Sequence, residues 1–315
     1  MQKTTLRLGT RGSALALKQA EMTEAALAAK FPDLTVERVV IKTTGDIRTD
    51  IALKDVAAAE SIVDKGVFIK ELEIALLNEE IDFAVHSLKD VPTVLEDAFD
   101  LVCTLPRAPI ADVLITKGGH TLKTLPQGAT VATSSVRRQR QLLHLRPDLT
   151  IVDIRGNVPT RLEKLAQSEE FDAIMLAEAG LVRLGYSLDS LEIEGETLTF
   201  DVLDRSEFLP AAGQGAVAME IRKGDTATQA ILEQISCEMT FAEITAEREF
   251  LRLLDAGCHT PVGVNTVREG DAMSLSGVVF AEGEGAMERA PKTAQVQGDI
   301  ANAKQLGAAL FAQLS

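Results

Sequence analysis

The chain has 315 residues, 46% of them hydrophobic and 25% charged, enough to bury a large core spread over two or three domains. A net charge of −15 excludes a general nucleic-acid-binding surface, which needs a positive face. No stretch approaches the roughly eighteen apolar residues of a membrane helix, so no membrane partner is expected. Cys103, Cys237 and Cys258, odd in number and widely spaced, argue against a disulfide framework and for a reducing, cytoplasmic setting.

The start, MQKTTLRLGT, enters strand-like alternation without an apolar signal segment. LRLGT (Leu6 to Thr10) reads as a strand, and RGSALALKQAEMTEAALAAK as a helix with Ser13 placed to cap it. LTVERVVIKTTGD returns as a strand ending in a glycine turn. GDIRTDIALKDVAAAESIVDKG mixes charges with short apolar runs and reads as a long mobile loop, about residues 46–66, over a site. VFIKELEIALLNEE is an amphipathic helix, and IDFAVHSL a strand that stops at KDVP. Strands alternating with helices predict an α/β unit with a mostly parallel sheet, and ligands of such units sit beyond the carboxyl ends of strands.

A second alternating unit follows. GATVATSS is a strand, SVRRQRQLLHL a helix, LTIVDIRGN a strand, VPTRLEKLAQ a helix and FDAIMLAEAGL a strand. FLPAAGQGAVAMEIR adds a glycine-rich turn and a strand whose composition suits a return to the first unit. From about Thr226 the pattern changes to a long helix, CEMTFAEITAEREFLRLLDAG, a hairpin in VGVNTVREGDAMSLSGVVF with EGD at its turn, and a closing helix, ANAKQLGAALFAQL. That is a smaller α+β domain.

Several groups could carry chemistry. Arg137, Arg138, Arg140, Arg146, Arg155 and Arg161 cluster against only Asp148 and Asp153, which suits a small polyanion bound by forked pairing. Solvated helix faces are the plain alternative. The four histidines show no metal-site spacing, so no metal is expected; there is no GxSxG elbow, and GTRGS and GQGAV match no nucleotide-binding motif. Lys89 and Asp90 follow a strand end, and Pro92 biases Val91 toward an extended exit. In an arginine-lined pocket, Asp90 could accept N–H bonds, steady a cation or move a proton; otherwise it is a turn cap. Cys258 lies in AGCHTP with three roles open: a core thiol, a turnover nucleophile, or an anchor for a permanently held group.

RLGTRGSALALKQA, TTGD, KGVFIKELEIALL, DFAVHSLKDVP, VATSSVRRQRQL, IRGNVPTRL, DAIMLAEAGLVRLG, LPAAGQGAVAMEIR and AEREFLRLLDAGCHTPVG, in this order, resemble the hydroxymethylbilane synthase (porphobilinogen deaminase) family. The resemblance implies two periplasmic-binding-protein-like α/β lobes plus a smaller α+β C-terminal domain. The implied limits are 1–105 with 207–223, 106–206, and 224–315. It implies a dipyrromethane cofactor attached to Cys258 by a thioether, and Asp90 as the catalytic carboxylate on pyrrole N–H groups. Arg11, Ser13, Lys89, Arg137, Arg138, Arg155, Arg161 and Arg183 match residues that hold acetate and propionate side chains, and Lys54 and Lys65 could reach in from the loop. The implied reaction takes porphobilinogen, expels ammonia, joins four units head to tail on the cofactor and hydrolyses off the linear tetrapyrrole. Nothing in the chain demands a partner protein, so a monomer is expected.

The chain departs from the family in two places. AESIVDKGVF stands where the family usually has GGKGLF, and LPRAPIADVLI lacks the arginine of an acid-Pro-Arg-Asp run, with Asp112 one place later than its aspartate. A two-lobed anion-binding or sensor protein without chemistry is the alternative reading.

Overall fold

A computed structural model describes residues 3–43, 69–256, 260–283, 285 and 288–315. The first strand, β1 (Thr5–Arg11), buries Leu6 and Leu8 on one side. It runs out into Ser13, whose hydroxyl accepts from the Ala16 N–H at 3.3 Å and starts α1 (Ala14–Lys30), as the capping pattern predicts. Next come β2 (Thr35–Ile41), α2 (Lys70–Leu77), β3 (Phe83–Ser87), one 3₁₀ turn over Leu88–Asp90, and β4 (Phe99–Thr104). The helix α2 stops short of the expected NEE because Glu79 takes a left-handed conformation, φ 58°.

The first sheet has the order β2, β1, β3, a much later strand (Val217–Arg222), then β4. Its core packs Leu6, Leu8, Phe83, Val85, Cys103 and Met219. The β1 pairings to β2 and β3 are parallel, but the late strand is antiparallel to both β3 and β4. The expected mostly parallel sheet is therefore corrected to a mixed one: a strand arriving from a distant part of the chain has no crossover helix to set its direction.

The second lobe repeats the pattern with β5 (Asp112–Lys117), β6 (Thr130–Ala132), α3 (Val136–Leu145), β7 (Thr150–Val152), α4 (Val158–Gln167), β8 (Ala173–Ala177), α5 (Glu178–Arg183), β9 (Ser190–Ile193) and β10 (Glu196–Val202). The order is β7, β6, β8, β5, β10, β9; β6 runs parallel to β7 and β8, and every pairing from β8 outward is antiparallel. FDAIMLAEAGL is strand only to Ala177. Glu178 then favours a helix N-terminus by its charge, and alanine and leucine carry the helix on, so α5 replaces the expected strand end.

The chain returns to the first sheet as β11 (Val217–Arg222) through Gly213–Gln214–Gly215. Both glycines have positive φ, and a Cβ on Gly215 would lie 2.6 Å from the Ala108 carbonyl oxygen. Only glycine lets this turn press against the segment that enters the second lobe. After α6 (Thr226–Leu232) come the long α7 (Glu238–Leu253), the antiparallel hairpin β12 (Val262–Glu269) and β13 (Ala272–Val279) with Gly270 at its turn, β14 (Lys292–Asp299) and α8 (Ala303–Leu314). Phe250, Val264, Leu275 and Leu310 form the core between sheet and helices. Two α/β lobes with a smaller α+β C-terminal domain match the expected fold class.

Candidate active site

The strand β3 is buried almost throughout and delivers Leu88–Asp90 at its carboxyl end. Val91 leaves in an extended conformation (φ −82°, ψ 130°), as Pro92 requires. Asp90 lines a pocket of about 70 Å³ together with Arg11, Ser13, His86 and Ser87. The floor is fixed by Gln19 of α1, whose amide nitrogen donates to Ser87 Oγ at 2.7 Å, while the Ser87 hydroxyl lies 3.2 Å from the amide oxygen.

The cations expected at the site divide by how their charge is met. Arg137 and Arg138, at the start of α3, are buried on Asp112. The Arg137 Nη1 reaches Asp112 Oδ2 at 2.6 Å; the Arg138 Nε and Nη2 reach Oδ1 at 2.9 and 2.6 Å. Burial opposes the Asp112 charge, yet the two guanidiniums outweigh it and keep the carboxyl well below the usual carboxylate range. Arg138 also donates to the Met175 carbonyl at 2.9 Å, whereas among the described residues the hydrogen bonds of the Arg137 guanidinium run through Nη1, to Asp112 and to the Leu209 carbonyl.

The second group is Lys89, Arg155, Arg161 and Arg183. Each is half-buried, and none makes a salt bridge to a carboxylate among the described residues. Lys89 reaches only Gln214 Oε1, at 3.4 Å. Burial first, and then Arg138, pulls its ammonium down to about 8, with Asp90 and Asp112 working the other way. Arg161 donates Nε to the Gly156 carbonyl at 2.7 Å; burial, Arg138 and Arg155 bring it down to about 10, while Asp90 opposes them. Arg183 donates to the Gly215 carbonyl at 2.6 Å, is also pulled to about 10 by burial, and its buried Nε has no partner among the described residues. All three arginines stay charged at neutral pH. Half-buried cations lacking an anion are costly, and their free donors are of the kind that pair with carboxylates.

The remaining arginines of the sequence cluster serve elsewhere. Arg146 pairs with Asp148 at 2.7 Å near the surface, and Arg140 donates to the Ala281 carbonyl at 2.9 Å and lies over the Phe280 ring. Cys103 is a buried core thiol, pushed up to about 12 by desolvation, and Cys237 caps α7 with part of its surface exposed. Cys258, Lys54, Lys65 and the 46–66 loop lie outside the described residues.

Sequence reasoning missed three contributors. Gln214, the middle of the GQG turn, donates to the Ile110 carbonyl at 2.8 Å and to Asp112 Oδ1 at 3.2 Å, and accepts from Lys89. Its glycines were visible, but the reach of its side chain between the lobes is a tertiary property. Arg107 holds Glu247 of α7 with bonds of 2.7 and 2.9 Å, and Glu247 accepts from the Gly213 N–H at 2.7 Å. Arg248 of α7 donates to the Pro92 and Thr93 carbonyls at 2.7 and 3.0 Å, just past Asp90. The helix that runs toward Cys258 is thus fastened to the Asp90 turn and to the interlobe turn.

Fold and site define a two-lobed α/β protein with an appended α+β domain and a carboxylate set among half-buried cations. The family described as "Porphobilinogen deaminase, dipyromethane cofactor binding domain" matches residues 6–230, and "Porphobilinogen deaminase, C-terminal domain" matches residues 241–315. A porphobilinogen deaminase of Syntrophobacter fumaroxidans is 39% identical over 98% of this chain and 93% of its own length. One of Syntrophotalea carbinolica is 41% identical over 99% and 94%. Among solved structures, an ancestral cationic amino acid solute-binding protein, AncCDT-1, aligns at 14% identity with a TM-score of 0.42, covering 74% of this chain and 88% of that one. The chain belongs to the porphobilinogen deaminase family.

The donor set fits the dipyrromethane that the family carries. That group bears several carboxylates, and the Arg183 Nε and the Nη groups of Arg161, without partners among the described residues, are donors of the required kind.

Proposed function

We propose a division of labour among these residues for the reaction that goes with the family. The chain is a transferase of tetrapyrrole biosynthesis: it deaminates porphobilinogen, joins four units head to tail and releases hydroxymethylbilane by hydrolysis. A purely binding two-lobed protein is not favoured by these matches. The dipyrromethane, when bound, supplies the pyrrole carbon on which assembly begins.

Cys258 is the anchor for that group, at the end of the helix that Arg107 and Arg248 brace. Asp90 accepts the N–H bonds of the reacting pyrrole and steadies the positive charge that appears when ammonia leaves, an effect worth far more in a dry pocket than in water. Arg11 and Ser13 from β1 and the α1 cap, and Lys89 beside Asp90, orient the incoming acid groups. Arg155, Arg161 and Arg183 take carboxylates directly, joined by the spare Nε and Nη2 of Arg137, while Arg138 and Asp112 hold the wall in place. Lys54 and Lys65 are assigned to the substrate side from the loop. Residues 1–105 with 207–223 form the domain of Asp90, 106–206 the arginine-rich domain and 224–315 the anchoring domain. The wide spacing of three cysteines supports a cytoplasmic protein, and the chain is read as a monomer.

The observation that carries this reading is the group of half-buried cations, Lys89 and Arg161 facing Asp90, that no carboxylate among the described residues pairs with. The intact mass of the purified chain is expected to exceed that of its amino acids by two pyrrole units. Cys258→Ser should lack the increment and form almost no product. An active chain of unmodified mass would overturn the proposal.

A further inference from the structure

His86 sits inside the DFAVHSLKDVP motif, yet none of the roles above uses it. It lines the same pocket as Asp90, Arg11 and Ser13, and its Nε2 lies 3.0 Å from Oε2 of Glu220 on β11. Both side chains are almost wholly enclosed, at 4% and 0% exposure. As a carboxylate, Glu220 only accepts, so Nε2 carries the hydrogen and Nδ1 is the basic nitrogen; this bond to Glu220 is the ring's only one among the described residues. A histidine whose far nitrogen is fixed by a buried carboxylate is held in one orientation, the arrangement by which many enzymes position a proton acceptor.

Charged groups face this pair from each surrounding element. Glu73 comes from α2, Glu96 from the turn before β4 and Arg248 from α7, with Asp90 and Arg11 across the pocket. Burial, then Glu220 and Glu96, raises Glu73 to about 7, while His86 opposes the rise. Oε1 of Glu220 is buried without a partner. The pair thus sits in an acidic surrounding at the strand end that carries Asp90, with His86 on the pocket wall and Glu220 enclosed behind it.

We propose that His86, oriented by Glu220, is the proton carrier of the cleft: it accepts at Nδ1 the proton released beside Asp90 in each condensation and passes it to water. The inference rests on the proposed function. In the step, the bond from the proton to the reacting ring breaks, its electron pair stays with the ring, and the new N–H bond forms on His86. Glu220 keeps its hydrogen bond to Nε2 and compensates the imidazolium, which then loses its proton to water and resets the pair.

The test combines kinetics with histidine NMR on the full chain carrying its cofactor, where only four histidines need resolving. His86→Gln is expected to lower kcat about 100-fold with KM nearly unchanged, and to abolish the acid limb of the pH–rate profile. Glu220→Gln keeps an acceptor for Nε2 but removes the charge, so the acid limb and the His86 ring titration should both move to lower pH. Should His86→Gln fail to fold, the wild-type titration still decides: the ring must change protonation state between about pH 5 and about pH 9. A His86 ring fixed in one state across that range, or a His86→Gln enzyme within about twofold of wild type at every pH, would overturn the inference. Normal product from the wild-type chain in that case leaves the proposed function standing; no product from the wild type would overturn the function, and the inference with it.

Discussion

Arg138 on α3 and Arg161 on α4 are arginines of successive helices with opposite electrostatic circumstances. The first is buried, and its three nitrogens are bonded to Asp112 and a backbone carbonyl. The second is half-buried and, among the described residues, its side chain makes one bond, to a carbonyl, through Nε. A cation whose charge is met from within shapes the wall. A cation left unmet among the described residues, at a cost to the folded chain, is the kind proposed here to take a ligand. The difference divides a cluster that composition presents as uniform.

The comparison can be broken most forcefully at Asp112. Asp112→Ala leaves Arg137 and Arg138 buried face to face, and removing one partner of such a group costs about 3–5 kcal/mol. Urea unfolding should report that loss, and a change below about 1 kcal/mol would show the two arginines are not held as described. A smaller effect of a different kind is expected at Arg161. Arg161→Gln should leave stability nearly unchanged but lower kcat/KM by roughly 10- to 100-fold, about the value of one charge-assisted hydrogen bond. Equal damage to stability and activity would erase the distinction.

The mildest test is a pH series on Lys89. Its ammonium, drawn down to about 8 by burial, is charged below that pH and neutral above it. Its hold on substrate carboxylates should therefore weaken, and KM rise, as pH climbs through about 8. Lys89→Arg, charged throughout, should remove that rise.

Much of this was legible in the sequence. The Ser13 cap, the extended exit at Val91 before Pro92, the glycine turn that returns β11 to the first sheet and the Gly270 hairpin each follow from local chemistry. The family motifs single out Asp90 and the arginines as candidates. What local reasoning could not supply was long-range pairing: the antiparallel β11, the added strands β9, β10 and β14, and the carboxylate that claims Arg137 and Arg138. Asp112 drew notice only as a misplaced motif residue; its role depends on strand β5 meeting helix α3, which no spacing along the chain reveals. Gln214 and Glu220 were hidden for the same reason, since each acts across a sheet or between lobes.

The central claim is that a covalently held polycarboxylate meets the charges of Lys89, Arg155, Arg161 and Arg183. Calorimetric melting of the wild-type chain beside Cys258→Ser tests it most directly. Meeting those charges should stabilise the fold, so the serine variant is expected to melt lower by at least about 5 °C. Identical melting temperatures, with the two-ring mass present on the wild type alone, would contradict it.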